Sequence, residues 1–197
     1  MRRVLLVVQF LLVFLCANAQ EHISFNGATF GQKKHLFLSA LKLYGNGKLI
    51  DHTHKNMYRR YYYGDGNINA YPCRYYIHCS IKEEFVFETI AWFVVDDLES
   101  ETAPFVKIFE EKYGGHIKED VSNLGYKQRE DSFSSKEILA LKYIIRSKTS
   151  NKPIGEVRIS AATFDTTNRG YIEITYRDYT TADIAINEYN AIMNNIL

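Results

Sequence analysis

Residues 84–97 read EFVFETIAWFVVDD, and this stretch decides the fold. Phe85, Phe87, Ile90, Trp92 and Val94 interleave with Val86, Ala91, Phe93 and Val95. Apolar side chains on both alternating faces predict a strand inside a sheet rather than on its edge, since strands covered on both faces read as near-continuous apolar runs. The stretch also joins two halves of similar size, each with a helix pattern followed by strand patterns. The expected fold is α+β: a mainly antiparallel sheet with about three helices packed on it. It spans residues 20–197 as one domain, with half-units 20–97 and 98–197 as the alternative division. No residue-level repeat links the halves.

Upstream, residues 73–81 read as the neighbouring strand, with Pro72 just before it, where a missing N–H costs no ladder bond. Cys73 and Cys79 share that strand. At ~3.3 Å per residue their Cα atoms lie about 20 Å apart, beyond the roughly 7 Å that a disulfide spans. Two reduced thiols on one buried face are expected. Residues 57–63 alternate weakly as a strand, and Gly64-Asp65-Gly66-Asn67 signals a turn. Nearer the start, residues 22–25 form a short strand closed by Asn26-Gly27. Thr29 and Gln32 have capping-box spacing ahead of a helix over 32–43, which Gly45-Asn46-Gly47 ends.

Downstream, the pattern predicts a helix over 103–113 with Thr102 as N-cap and Pro104 in the first turn. Phe105, Ile108, Phe109 and Tyr113 form its apolar stripe. Residues 116–121 and 124–129 are weaker strands. Residues 136–146, KEILALKYIIR, admit a helix through Ser134 and Glu137 but carry strand-forming Tyr143, Ile144 and Ile145. They are read as strand, because 155–163 and 170–177 are β and need a neighbour. In 170–177, Ile172, Ile174 and Tyr176 alternate with Tyr171, Glu173, Thr175 and Arg177, the mark of a sheet with one wet face. Thr180 and Asp183 form a capping box for a last helix with Ala185, Tyr189, Ile192 and Ile196 on one stripe.

The first segment reads as an export signal. Arg2 and Arg3 precede an apolar run over 4–15, and Ala17-Asn18-Ala19 is an A-x-A cleavage site. Residues 1–19 are the expected signal peptide and Gln20 the expected mature start, which puts the protein in the periplasm or outside the cell. Phe14-Leu15 before Cys16 does not suit lipid attachment there. Losing two arginines moves the net charge from +1 to −1. That balance gives no electrostatic footprint for nucleic acid. No second long apolar run follows, so no stable membrane insertion is expected after cleavage. With 46% hydrophobic and 14% aromatic residues, the chain lacks the composition of a disordered one.

The assembled pattern resembles a group of small exported proteins common in Bacteroidetes. The signal ends Ala-Asn-Ala-Gln, and ISFNG opens the mature chain ahead of the first helix. A central apolar strand leads to a helix ending Glu110-Glu111-Lys112-Tyr113-Gly114, and GYIEITYRD over 170–178 precedes the last helix. The resemblance covers most of the mature chain and implies location and fold. It carries over no catalytic residue, and the Tyr-rich middle departs from the group's pattern.

Candidate sites are sparse. Tyr58, Arg60, Tyr62 and Tyr75 belong to a tyrosine- and arginine-rich stretch that could offer a platform to protein, peptide or glycan. The plainer reading is a pair of strands using tyrosine as half-buried residues. Asp51, His52 and His54 have metal-ligand character, but zinc sites take three or four protein ligands and the other histidines are scattered. No metal and no cofactor are therefore expected. There is no G-x-S-x-G elbow, P-loop or dinucleotide fingerprint, so no catalytic residue is assigned. The reading is a non-enzymatic binding or interaction module. The alternative is an extracytoplasmic hydrolase or carbohydrate-active protein with a site assembled from scattered Asp, Glu and His. A concave pocket with two converging ionisable groups separates them.

Overall fold

A computed structural model of the chain describes residues 21–41, 50–52, 60–68, 71–122, 127–128, 134–164 and 169–194. The segment 1–19, Tyr58 and His54 lie outside these residues. In chain order, β1 (Ser24–Phe25) and β2 (Ala28–Thr29) precede α1 (Lys34–Ala40). Then come β3 (Ile50–His52), β4 (Arg60–Ile68), β5 (Tyr71–Cys79), β6 (Val86–Val95) and α2 (Leu98–Tyr113). The remainder comprises β7 (Ile117–Lys118), β8 (Lys127–Gln128), β9 (Ser134–Arg146), β10 (Pro153–Phe164), β11 (Gly170–Asp178) and α3 (Tyr179–Asn194).

Among the described residues nine strands make one antiparallel sheet in the order β3-β4-β5-β6-β11-β10-β9-β7, with β8 also pairing β9. The apolar run is β6, between β5 and β11. Residues 20–97 and 98–197 each supply a meander, and the innermost strands of the two meanders pair from Gly170↔Val95 to Arg177↔Glu88. The fold is α+β with a mainly antiparallel sheet and three described helices.

One face of the sheet carries the main core. Ala91, Phe93 and Val95 of β6 and Ile172, Ile174 and Tyr176 of β11 meet Phe105 and Phe109 of α2 and Phe37 of α1 there. On the other face Phe87 packs on Ala182 and Ala185 of α3, and Glu188 further along that helix accepts from Lys82 N–H. A bulge explains Phe87. Cys79 pairs with Val86 and His78 with Glu88, so Phe87 is the extra residue and turns out of the main core. Trp92 also belongs to this partly covered face and is only half-buried, despite its place at the sheet centre.

Several boundaries differ from the sequence reading, for local reasons. Asn26 and Gly27 have φ of 45° and 86°, the two-residue turn of the β1–β2 hairpin. Thr29 is thereby a strand residue, no capping box forms, and α1 starts at Lys34 without a side-chain cap. Gly64 to Asn67 do not turn; β4 runs straight through them. Gly66 serves close approach instead, since a Cβ there would stand 2.2 Å from Cε2 of Tyr75. The helix α2 begins at Leu98, capped by Asp97, which accepts from the N–H groups of Glu99 and Ser100. Thr102 and Pro104 thus lie inside the helix. Ile108 is exposed rather than in the stripe.

Asp178 fastens the two ends of the described chain. Its carboxylate is fully buried and accepts from Thr181 N–H at 2.9 Å and Thr181 Oγ1 at 2.8 Å, which caps α3. It also accepts from Ile23 N–H at 3.1 Å and lies 3.1 Å from His22 Nδ1. Asp178, not Thr180, is the cap, and it ties the strand-entry segment to the last helix. Asp178→Ala removes a cap and strands the Ile23 N–H, and is expected to cost about 2–4 kcal/mol. Urea unfolding measures this; a midpoint unchanged from wild type would show that the tether carries no stability.

Candidate functional site

A groove of about 690 Å³ runs between α2 and the β9 end of the sheet. Sequence periodicity builds its helical wall: Leu98, Thr102 and Val106 recur at four-residue spacing, flanked by Ala103. From Leu98 to Glu110 that wall is about 18 Å long at 1.5 Å per residue. Leu139 and Leu141 of β9 face it, and Ala161 of β10 lies at the floor. A second bulge shapes the edge. Leu139 pairs with Ala161 and Glu137 with Ala162, so Ile138 is left unpaired and stands 49% exposed at the rim. Small Ala103 and Ala161 leave the space; larger residues would fill it.

One polar atom inside this wall is unsatisfied. Thr102 is only 5% exposed, yet its Oγ1 has no hydrogen-bond partner among the described residues. A buried hydroxyl without a partner costs free energy that folding does not return. Charged groups stand at the rim. His116 Nδ1 is 3.0 Å from Glu110 Oε1, and the imidazole sits edge-on to Tyr143 at 5.6 Å between ring centres. Burial first, then the Glu110 charge, push the Tyr143 phenol above its usual pKa. Lys107 and Lys118 line the groove as well, without an ion-pair partner among the described residues.

The ionisable pair and the hydroxyl do not converge. Thr102 and Glu110 are eight residues apart on α2, about 12 Å along its axis. A nucleophile and its base need hydrogen-bond reach, roughly 3 Å. Among the described residues no group of three or more His, Cys, Asp and Glu gathers for a metal.

The opposite face carries a second concentration of charge. Arg158 donates to Glu119 at 2.6 Å and to Glu137 at 2.7 Å, and Lys142 lies 2.7 Å from Glu119. Tyr179 donates to Glu156 at 2.6 Å. Glu88 of β6 meets His78 at 2.5 Å and Arg177 at 3.9 Å. Burial works against the Glu119 carboxylate, but hydrogen bonds from Lys142 and Arg158 and their charges outweigh it and hold its pKa below the usual range. Alternating signs across neighbouring strands fix register on a face that α3 leaves partly wet. Each of these acids is held by a base, and the row is structural.

The tyrosine stretch divides. Arg60 and Tyr62 occupy β4 opposite Cys79 and Ile77, while Tyr58 is outside the described residues. Tyr75 is fully buried; its hydroxyl donates to the carbonyl of Asn67, accepts from Asn26 Nδ2 at 3.3 Å, and its ring meets Phe25 edge-on at 5.5 Å. It is a core residue rather than part of a surface platform, because an interior position on β5 gives its ring no face to water. Cys73 and Cys79 are buried and form no disulfide, and burial pushes the Cys73 thiol up to about 11. Asp51 and His52 form part of β3.

Sequence reasoning missed the groove. The signal was there: Leu98, Thr102, Phe105 and Phe109 continue the apolar spacing of α2 one turn earlier, behind Asp97 as a cap. No known protein family, no curated protein and no solved structure matches the chain. Among the described residues no helix is long and apolar enough to cross a membrane.

Thr102→Val keeps the shape and removes the unpartnered hydroxyl. The expected result is a gain of about 1 kcal/mol in unfolding free energy. Chemical denaturation checks it; a loss of stability would mean that the hydroxyl has a partner in solution.

Proposed function

We propose that the protein is an exported, non-enzymatic binding module that holds a small apolar or amphiphilic molecule in the groove between α2 and β9. Export rests on the order of charge, apolar run and A-x-A site in residues 1–19. The observation that carries the binding reading is the groove itself: about 690 Å³, walled by Leu98, Val106, Leu139, Leu141 and Ala161 with charged groups at its rim. Ligand sites are commonly clefts of roughly 300–1,000 Å³, mostly apolar with a few polar groups. Separation of Thr102 from the Glu110–His116 pair speaks against hydrolysis at this place.

Ala103→Trp tests the reading, because Ala103 is exposed on α2 and an indole there projects into the groove without disturbing the core. Nile red, an uncharged apolar dye, is the probe, titrated against residues 20–197. The wild type is expected to bind it saturably, one dye per chain, and Ala103→Trp to bind at least about tenfold more weakly at unchanged Tm. Equal binding by both proteins would place the dye elsewhere and end the proposal.

A further inference from the structure

We infer that Gln20, freed as the first residue by cleavage after Ala19, closes to pyroglutamate and so shields the clasp that His22 and Ile23 make with Asp178. The inference rests on the export reading of residues 1–19 and goes beyond it. The step needs no second reagent. The neutral α-amine attacks Cδ of its own side-chain amide. The new N–Cδ bond closes a five-membered lactam, the old Cδ–Nε2 bond breaks, and one amine proton leaves with Nε2 as ammonia. An α-amine has an ordinary pKa of about 7.7–8.0, so part of it is unprotonated near neutral pH. Asparagine, one methylene shorter, would have to close a strained four-membered ring.

The fold gives this chain end something to protect. Glu21, His22 and Ile23 are the second to fourth residues of the cleaved chain, and none belongs to a strand. They are nevertheless built into the structure. Thr149 Oγ1 donates to Glu21 Oε1 at 2.8 Å. Gly31, at φ 76°, makes room for the His22 ring: a Cβ there would stand 2.6 Å from His22 Cε1. Ile23 is buried, and a Cβ at Gly155 would stand 2.8 Å from its Cγ2. Asp178 then joins this segment to α3, since it accepts from Ile23 N–H, lies beside His22 Nδ1 and caps the helix through Thr181. An exopeptidase acting on a free amine has only Gln20 and Glu21 to remove before it reaches His22. Chain ends open more readily than the core, which exposes the clasp to that loss. A lactam offers a general aminopeptidase no α-amine, so the end stays whole.

Intact mass of the exported protein tests the cyclisation. The expected mass is that of residues 20–197 less one ammonia; a free amine on Gln20 would overturn the inference. A chain beginning at any other residue would overturn the export reading, and the inference with it. Leucine aminopeptidase, incubated with the native protein, tests the shielding. Wild type should keep its full length and its Tm. Wild type first treated with pyroglutamyl peptidase, and Gln20→Asn untreated, should both be trimmed through His22 and lose several degrees of Tm. Resistance of both to trimming would show that the clasp protects itself and would overturn the shielding role. Trimming through His22 at unchanged Tm would overturn it as well, because the lost residues would then hold nothing together.

Discussion

The antiparallel pairing of β6 with β11 is the constraint on which the rest of the structure depends. Each strand is the last of its own meander and runs directly on toward a helix, β6 to α2 and β11 to α3. Pairing them puts Ala91 against Ile174 and Phe93 against Ile172, in the middle of the core. Neither meander alone could cover these residues on both edges. Gly170 is a sign of how tight the junction is: a Cβ there would stand 2.1 Å from the carbonyl oxygen of Ala162 and 2.7 Å from Leu98 Cδ1. Strand, neighbouring strand and the first turn of α2 meet at one residue that can only be glycine.

From that junction the groove follows. The start of α2 meets β10 and β11 at Leu98, Phe105 and Phe109 seat its later turns on the core, and its outer side faces the β9 end of the sheet. There the sheet is thin, with β7 only two residues long. The cleft lies between the outer side of α2 and this edge. The bulge at Ile138 and the small side chains of Ala103 and Ala161 keep it open. On the other face, cross-strand ion pairs join neighbouring strands, and Phe87 packs on Ala182 and Ala185 of α3.

Much of this was legible in the sequence. Residues 84–97 carried apolar residues at both strand periods, and the alternation in 170–177 marked the wet face. Both strands are where the pattern put them. Residues 136–146 were ambiguous, and the demand of neighbouring strands decided them correctly as β9. The failures came where one residue type serves two purposes. Gly66 reads as a turn but makes room for the Tyr75 ring. Thr102 reads as an N-cap, yet Asp97 already fills that role five residues earlier. Tyr75 reads as a platform and is a hydrogen-bonded core residue. Trp92 reads as core because its strand is central, but α3 covers only part of that face. The groove was illegible because it depends on what is missing, a methyl-sized wall at Ala103 and Ala161 and a bulge at Ile138, and local patterns record only what is present.

Native-state hydrogen exchange of residues 20–197 tests the central claim most directly. If the β6–β11 pairing unites both meanders, the amides of Ala91, Phe93, Ile172 and Ile174 should open only with the whole molecule, at one shared free energy equal to that of global unfolding. Two separate exchange limits, one for β4 to β6 and another for β9 to β11, would contradict the account and make the halves independent units.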